Sequence, residues 1–459
     1  MAHVFSIRGF NMCESLLRHN ESQLRTFIRR MKTLNLNYLI IHYDYGWKRY
    51  QEIIKEETQK AGVDVCLMVF GPRSFWKYTK WNPEWFSRKE DGSLYTNLLE
   101  CETLPCSINA DGLNAFSEGC KQWIREVPGW IKHIHMRSAD GIDYCECPRC
   151  RLLSAADKWQ PFIDIFAAQA KSLAPEKQIE VDIYTKRYLL PSATTTHEQQ
   201  IDRIMFDTFF RDYYTPLDQL SRYSSLPPEM ISGNERTDTD RNIYLFSKLR
   251  EWTQKIPGKV YIFENLMGQG RLSVNPYIDY CLSHDLLLYR SLGITGVFYE
   301  AYEPGYFHFQ DSFNYLTSCL SDPEQALSYK PSKTELKIRD SALNNEFVTF
   351  YPEHFAEEPL RTHLKNCRDY FSQPDAQKLK RLLEFVFANE EKFDPLFSCF
   401  HAAQYGLKKG CCDPGAVSAE AKYMLGFRKL WDFMEEVDET DDARSVTRDL
   451  AYNIIRNMK

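Results

Sequence analysis

The stretch "YLIIHYDYGWKRYQEIIKEETQKAGVDVCLMVFGP", residues 38–72, decides the fold. It opens on a nearly continuous apolar run, 38–46. It continues through "KRYQEIIKEETQKAG", whose apolar positions fall at helical spacing and stop at Gly62. It closes on a second apolar run, 63–72, with a Gly-Pro stop. Strands that are apolar without alternation are buried on both faces, which is the signature of a parallel sheet covered by helices.

The same unit recurs on either side. Strand candidates at 4–10, 38–46, 63–72, 130–141, 179–188, 202–212, 259–266 and 294–305 alternate with amphipathic segments such as "ESQLRTFIRRMKTLN" and "IYLFSKLREWTQKI". Units of this number over roughly 300 residues predict a (β/α)8 TIM barrel over residues 1–325. No Gly-rich phosphate loop follows the first strand, which argues against a dinucleotide-binding sheet. Beyond residue 325, "AQKLKRLLEFVFANEEKF" and "AEAKYMLGFRKLWDFMEEV" predict a mainly α-helical C-terminal domain, 326–459.

Composition narrows the function. The chain has 459 residues, 43% of them hydrophobic, enough for a large core. A net charge of −6 supplies no basic field, so nucleic acid is not expected as a partner. Aromatic residues, 14% of the chain, suit ligands with planar apolar faces, although most belong in the core. No run reaches the ~18 apolar residues of a membrane span, so no membrane is expected. The start "MAHVFSIRGFNMCES" has no signal-peptide pattern, which points to the cytoplasm unless a leader has been removed. A homo-oligomer remains open.

In such a barrel the chemistry sits at the C-terminal ends of the strands. The polar residues there are Arg8, Asn11 and Glu14 for the first strand, and His42, Asp44 and Trp47 around the end of the second. Trp76 lies in the aromatic loop after the third. Arg137, Ser138 and Asp140 end the fourth, and Asp182 and Tyr184 the fifth. Asp207 and Arg211 end the sixth, Glu264 the seventh, and Glu300 and Tyr302 the eighth. Carboxylates ringed by Arg, Tyr and Trp suit glycoside hydrolysis: one acid protonates the leaving oxygen while a second carboxylate activates water or attacks the sugar. Asp140, Glu264 and Glu300 are the expected catalytic groups. Arg8, His42, Asp44, Trp47, Trp76, Tyr184, Asp207, Arg211 and Tyr302 are the expected substrate contacts. The substrate would be an oligosaccharide or glycoconjugate, and no cofactor is required.

Two resemblances add to this reading. Arg8, Gly9, Glu14, Arg18, His19, His42, Asp44, Gly46 and Trp47 resemble the opening of the β-N-acetylhexosaminidase barrels of glycoside hydrolase family 20. The segments "SINADGLNAF", "DGIDYCECPRC" and "YRSLGITGVFYEAY" are similar to domain-of-unknown-function 4838 barrels, the group that includes glycoside hydrolase family 163. The resemblance implies a barrel glycosidase of β-N-acetylglucosaminidase type on an amino-sugar-containing glycan. The alternatives are a sialidase or α-glucuronidase specificity, or a non-catalytic glycan-binding barrel. Family 20 places an Asp-Glu pair after the fourth strand, whereas this chain has Asp140-Gly141, so the family's substrate-assisted mechanism does not transfer directly.

Cys145, Cys147 and Cys150 crowd the loop after the fourth strand. They could be thiolate ligands of a structural zinc, with Cys106 or Cys101 as the fourth. Structural zinc sites normally use two clearly spaced pairs, and only one cluster is visible, so a compact reduced thiol turn or a redox-dependent bridge is the preferred expectation.

Overall fold

Eight parallel strands close on one another in chain order. They are β1 (Ile7–Met12), β2 (Tyr38–His42), β3 (Asp64–Phe70), β4 (His133–Arg137), β5 (Gln178–Ile183), β6 (Arg203–Asp207), β7 (Val260–Glu264) and β8 (Gly296–Glu300). Pairing of Asn11 with Glu300 and of Ile7 with Gly296 joins the last strand to the first. The helices are α1 (Glu21–Thr33), α2 (Trp47–Ala61), α3 (Ala110–Glu126), α4 (Ala155–Leu173), α5 (Arg241–Lys255) and α6 (Ile278–Ser291), with a short α7 (Pro323–Ala326). The (β/α)8 barrel expected from residues 38–72 is the observed fold, with every expected strand present.

This is a computed structural model. It describes residues 5–12, 21–43, 47–71, 75, 82–93, 104–137, 144–192, 199–212, 215–221, 225–227, 230, 238–264, 278–300, 317, 319–320 and 323–326. The expected helical domain at 326–459 lies outside the described residues, apart from its first position.

Local chemistry fixes the elements. Asn109 caps α3 by accepting from the Gly112 amide at 2.8 Å, and Ser154 caps α4 by accepting from Asp157 at 3.1 Å. Glu57 on α2 accepts from Arg25 at 2.8 Å and from Arg29 at 2.7 Å on α1, clamping two neighbouring helices. The bonds from Arg29 hold its carboxyl down at about 2, against the opposing push of burial. Between β1 and β2 the backbones approach so closely that a Cβ on Gly9 would lie 1.9 Å from the Tyr38 carbonyl oxygen.

Successive side chains on each strand point alternately into the barrel and out toward the helices. Ile7, Tyr38, Ile40, Cys66, Met68, Met205, Tyr261, Phe263 and Phe298 form one packed cluster, the interior. Their neighbours of opposite parity, such as Leu39, Ile41, Val65, Ile262 and Tyr299, join the larger core shared with the helices. In the middle of the interior is one fully buried carboxylate, Glu180. It accepts from Tyr38 Oη at 2.6 Å, from Arg203 Nη1 at 3.1 Å and from the Tyr261 hydroxyl. Burial pushes this carboxyl up, but bonds from His133 and His135 and the charge of Arg203 override it and hold it well below the usual range. A charge this well paired tolerates a site that an isolated one could not.

Candidate active site at the C-terminal mouth

The parity that fills the interior also selects what faces the mouth. Continuing it to the strand ends gives Asn11, His42, Phe70, Arg137, Asp182, Asp207, Phe263 and Glu300. All eight are buried beneath the rim. Arg137 organises them. Its Nη2 donates to Asp207 Oδ2 at 3.0 Å, and its Nε lies 3.9 Å from Asp182 Oδ2. Its guanidinium also covers the Tyr184 ring at 4.8 Å and the Phe263 ring at 5.9 Å. Arg187, on a single 3-10 turn after β5, donates to both oxygens of Asp182 at 3.2 and 3.3 Å. Two arginines and two aspartates therefore form a chain across β4, β5 and β6.

On the other side of the mouth, His42 Nε2 lies 2.9 Å from Asn11 Oδ1. Burial first, then repulsion from Arg137 and His135, drives the His42 pKa well below its usual value, so the ring is neutral. With its carbonyl oxygen engaged by this ring, Asn11 has its Nδ2 buried without a partner among the described residues. A donor left in this state is available to a ligand oxygen. Glu300 is the register partner of Asn11 on the adjoining strand, which puts a carboxylate beside that amide.

Of the expected site residues, the structure brings His42, Tyr184, Asp207 and Glu300 to this mouth. Tyr184 forms a wall beneath Arg137, its ring stacked on Phe210 at 5.8 Å.

Four expected site residues lie elsewhere. Arg8 is the second residue of β1, not its end. Its guanidinium donates to the carbonyls of Phe5 and Asn35 at 2.5 and 2.9 Å, at the opposite end of the barrel. Trp47 is buried in the helix layer against Trp130, with ring centroids 5.8 Å apart, so it offers no face to a sugar. Glu264 has the parity of Ile262 and points outward. Its carboxylate accepts from Thr208 Oγ1 at 2.7 Å, from Arg211 Nη1 at 3.0 Å and from the Tyr289 hydroxyl of α6. Arg211 also pairs with Asp285 of α6 and is fully buried. Glu264 and Arg211 thus form a fully buried network between barrel and helix. The catalytic role expected of Glu264 and the substrate contact expected of Arg211 are both displaced by that placement.

Asp44, Trp76, Asp140 and Tyr302 lie outside the described residues. Arg187 went unread in the sequence, because it follows β5 by several positions and no periodicity marks it. Asn11, Arg137 and Asp182 were visible as strand-end residues. Only the register shows that they face one another.

The cysteine loop is described from Tyr144 onward. Cys145, Cys147 and Cys150 are joined by Cys106, and all four are free thiols with their sulfurs within 4.8 Å of one another.

Fold and site together define a (β/α)8 barrel with a buried acid–arginine chain at its C-terminal mouth. No family model matches the chain, and no curated protein matches it either. Solved structures similar to it include the catalytic domain of a β-amylase from Paenibacillus polymyxa, at 8% identity and TM-score 0.44, covering 71% of this chain and 99% of that one. A β-N-acetylhexosaminidase from Bacteroides fragilis is similar at 15% identity and TM-score 0.43, covering 75% and 71%. An endo-1,4-β-mannanase from Rhizomucor miehei is similar at 10% identity and TM-score 0.38, covering 64% and 85%. At these identities activity has to be argued from this chain's own residues. Among the described residues, no helix is long and apolar enough to cross a membrane.

Proposed function

We propose that this chain is a glycoside hydrolase acting on an amino-sugar-containing glycan at the C-terminal mouth of the barrel. One observation carries the reading: Asp182, Asp207 and Glu300 share the lumen-facing side of the strand ends with Arg137, Asn11 and neutral His42. Sugar hydroxyls are both donors and acceptors, and alternating carboxylate, guanidinium and amide groups satisfy both. The Asn11 amide suits a sugar oxygen or an acetamide carbonyl. Glu300 beside it is proposed as one of the two carboxyl groups of hydrolysis, and Asp140, three positions after the end of β4 in the chain, as the other. Asp182 and Asp207 are proposed as substrate-positioning groups, since each is already bound by an arginine.

Those same arginine pairs favour the second reading, a barrel that binds glycan without cleaving it. In that case the carboxylates are spent on holding Arg137 and Arg187 in place.

A panel of aryl β-N-acetylglucosaminide, β-N-acetylgalactosaminide, α-sialoside and uronide substrates, with N-glycans, tests the choice. Hydrolysis is expected, falling below about a hundredth of the parent rate in Glu300→Gln and in Asp140→Ala. Glycan binding by the parent chain with no turnover across the panel would establish the second reading instead. The anomeric form of the first product fixes the stereochemistry. Retention corresponds to carboxyl groups about 5 Å apart and inversion to about 6.5–9.5 Å.

A further inference from the structure

We propose that Cys106, Cys145, Cys147 and Cys150 form a tetrathiolate zinc site that ties the β3–α3 connection to the β4–α4 connection. The four sulfurs lie mutually within 4.8 Å, and Cys106 Sγ is 3.6 Å from Cys150 Sγ. A tetrahedron with Zn–S bonds of about 2.3 Å has sulfur–sulfur edges of about 3.8 Å. The observed separation fits that edge and is far longer than the ~2.05 Å of a disulfide.

The surroundings are arranged as thiolate ligands require. The Arg88 amide points at Cys145 Sγ, 3.4 Å away, and Ser107 Oγ lies 3.5 Å from Cys150 Sγ. Donors of this kind orient sulfur and stabilise its negative charge around a bound metal. The backbone is fixed independently of the sulfurs. The Cys106 amide donates to Trp85 at 2.8 Å, the Glu146 amide to Arg88 at 2.7 Å, and the Arg151 amide to Cys147 at 3.0 Å, closing the Cys-Pro-Arg-Cys turn. A second grouping, Cys66, His135 and Glu180, also brings ligand atoms together. There the Glu180 oxygens are taken by Tyr38, Tyr261 and Arg203, which leaves little for a cation.

The site has a structural role by this geometry. Four protein ligands leave no open position for a substrate, as in closed zinc sites elsewhere. What the metal would hold is the turn at 145–150 against Cys106 and the backbone at 85–88, which Cys106 and Glu146 already meet through their amides.

The test uses the full chain purified under reducing conditions from zinc-supplemented medium. Elemental analysis is expected to find about one zinc per chain, falling below about a tenth in Cys106→Ser and in Cys147→Ser. A variant that does not fold is replaced by a measurement on the parent chain. A mercurial reagent should release the zinc, and alkylation of these four thiols should begin only after that release. Cobalt exchanged into the site should show the absorption of a tetrahedral tetrathiolate. Less than about a tenth of a zinc per parent chain, with the four thiols alkylating freely, would overturn the proposal. So would a disulfide among them in the native chain, or iron found at that stoichiometry.

Discussion

Arg137 of β4 donates to Asp207 of β6 at 3.0 Å and lies 3.9 Å from Asp182 on the strand between them. One guanidinium thus bridges two carboxylates from a third strand, and Arg187 secures the middle carboxylate from behind. The positions of these groups are set by barrel register and not by loops, which is how a rigid scaffold presents a polar site to a ligand.

Removing that bridge should cost both stability and binding. Arg137→Met leaves Asp182 with Arg187 alone and strips Asp207 of its buried cation. Breaking one side of a buried pair typically costs ~3–5 kcal/mol. Denaturant titration should show a loss of that size, and glycan affinity should fall by more than tenfold. Asp207→Asn keeps a polar group at the position and should lose less stability. If Arg137→Met binds glycan as well as the parent chain, the mouth is not the binding site.

Glu264 separates placement from composition. Its carboxylate is buried between β7 and α6, so Glu264→Ala should destabilise by ~1–3 kcal/mol, because the buried Arg211 and Tyr289 lose an acceptor while Arg211 keeps Asp285. Glu264→Gln keeps the shape and, with its oxygen toward Arg211 and Tyr289, the acceptor those two share. The Thr208 hydroxyl still donates to the Phe263 carbonyl, so the variant should remain folded with turnover within about threefold of the parent. A folded Glu264→Gln variant whose turnover falls below about a hundredth would return this residue to the catalytic set.

These residues show where the sequence was legible and where it was not. Apolar runs separated by amphipathic helices announced the barrel, because parallel strands are buried on both faces. The same property hides direction, since a strand without polar alternation gives no sign of which residues face inward. Glu264 and Glu300 both end strands, yet one faces α6 and the other faces the mouth. Arg8 was misplaced because β1 extends to Met12, which moves it to the strand's opposite end. Cys106 precedes Cys145 by dozens of residues, so the sequence offered it only beside Cys101 as a possible fourth sulfur; the fold places Cys106 with the other three, and Cys101 lies outside the described residues.

Gly9 sets a packing limit at the first strand. A Cβ there would meet the Tyr38 carbonyl oxygen at 1.9 Å, and a backbone atom in a closed barrel cannot swing away as a flexible side chain can. Gly9→Ala should therefore cost more than the ~1–3 kcal/mol of ordinary overpacking. The expected outcome is a chain that is insoluble, or that melts well below the parent in a thermal scan. A parent-like melting temperature would mean that β1 and β2 can separate without loss.

The pairing of Arg211 with two acids gives the fold a pH dependence that can be isolated. One guanidinium faces both Glu264 and Asp285, so burial, only partly offset by Arg211, raises the Asp285 carboxyl to about 6. The folded state then binds a proton that the unfolded chain, with an aspartate near 3.9, releases earlier. Stability from this group is fully present below about pH 4 and is lost as pH rises through about 6. A shift of two units corresponds to up to ~3 kcal/mol. Other carboxylates act in the opposite direction, Glu57 among them, so the signal is the difference between parent and Asp285→Asn. The asparagine keeps the contact with Arg211 but cannot titrate. The stability of the parent relative to Asp285→Asn should therefore decline steadily between pH 4 and 6 in denaturant titrations, and level off above about 7. A difference that stays flat across that range would show that Asp285 is ionised in the fold throughout, and that Arg211 neutralises both acids equally.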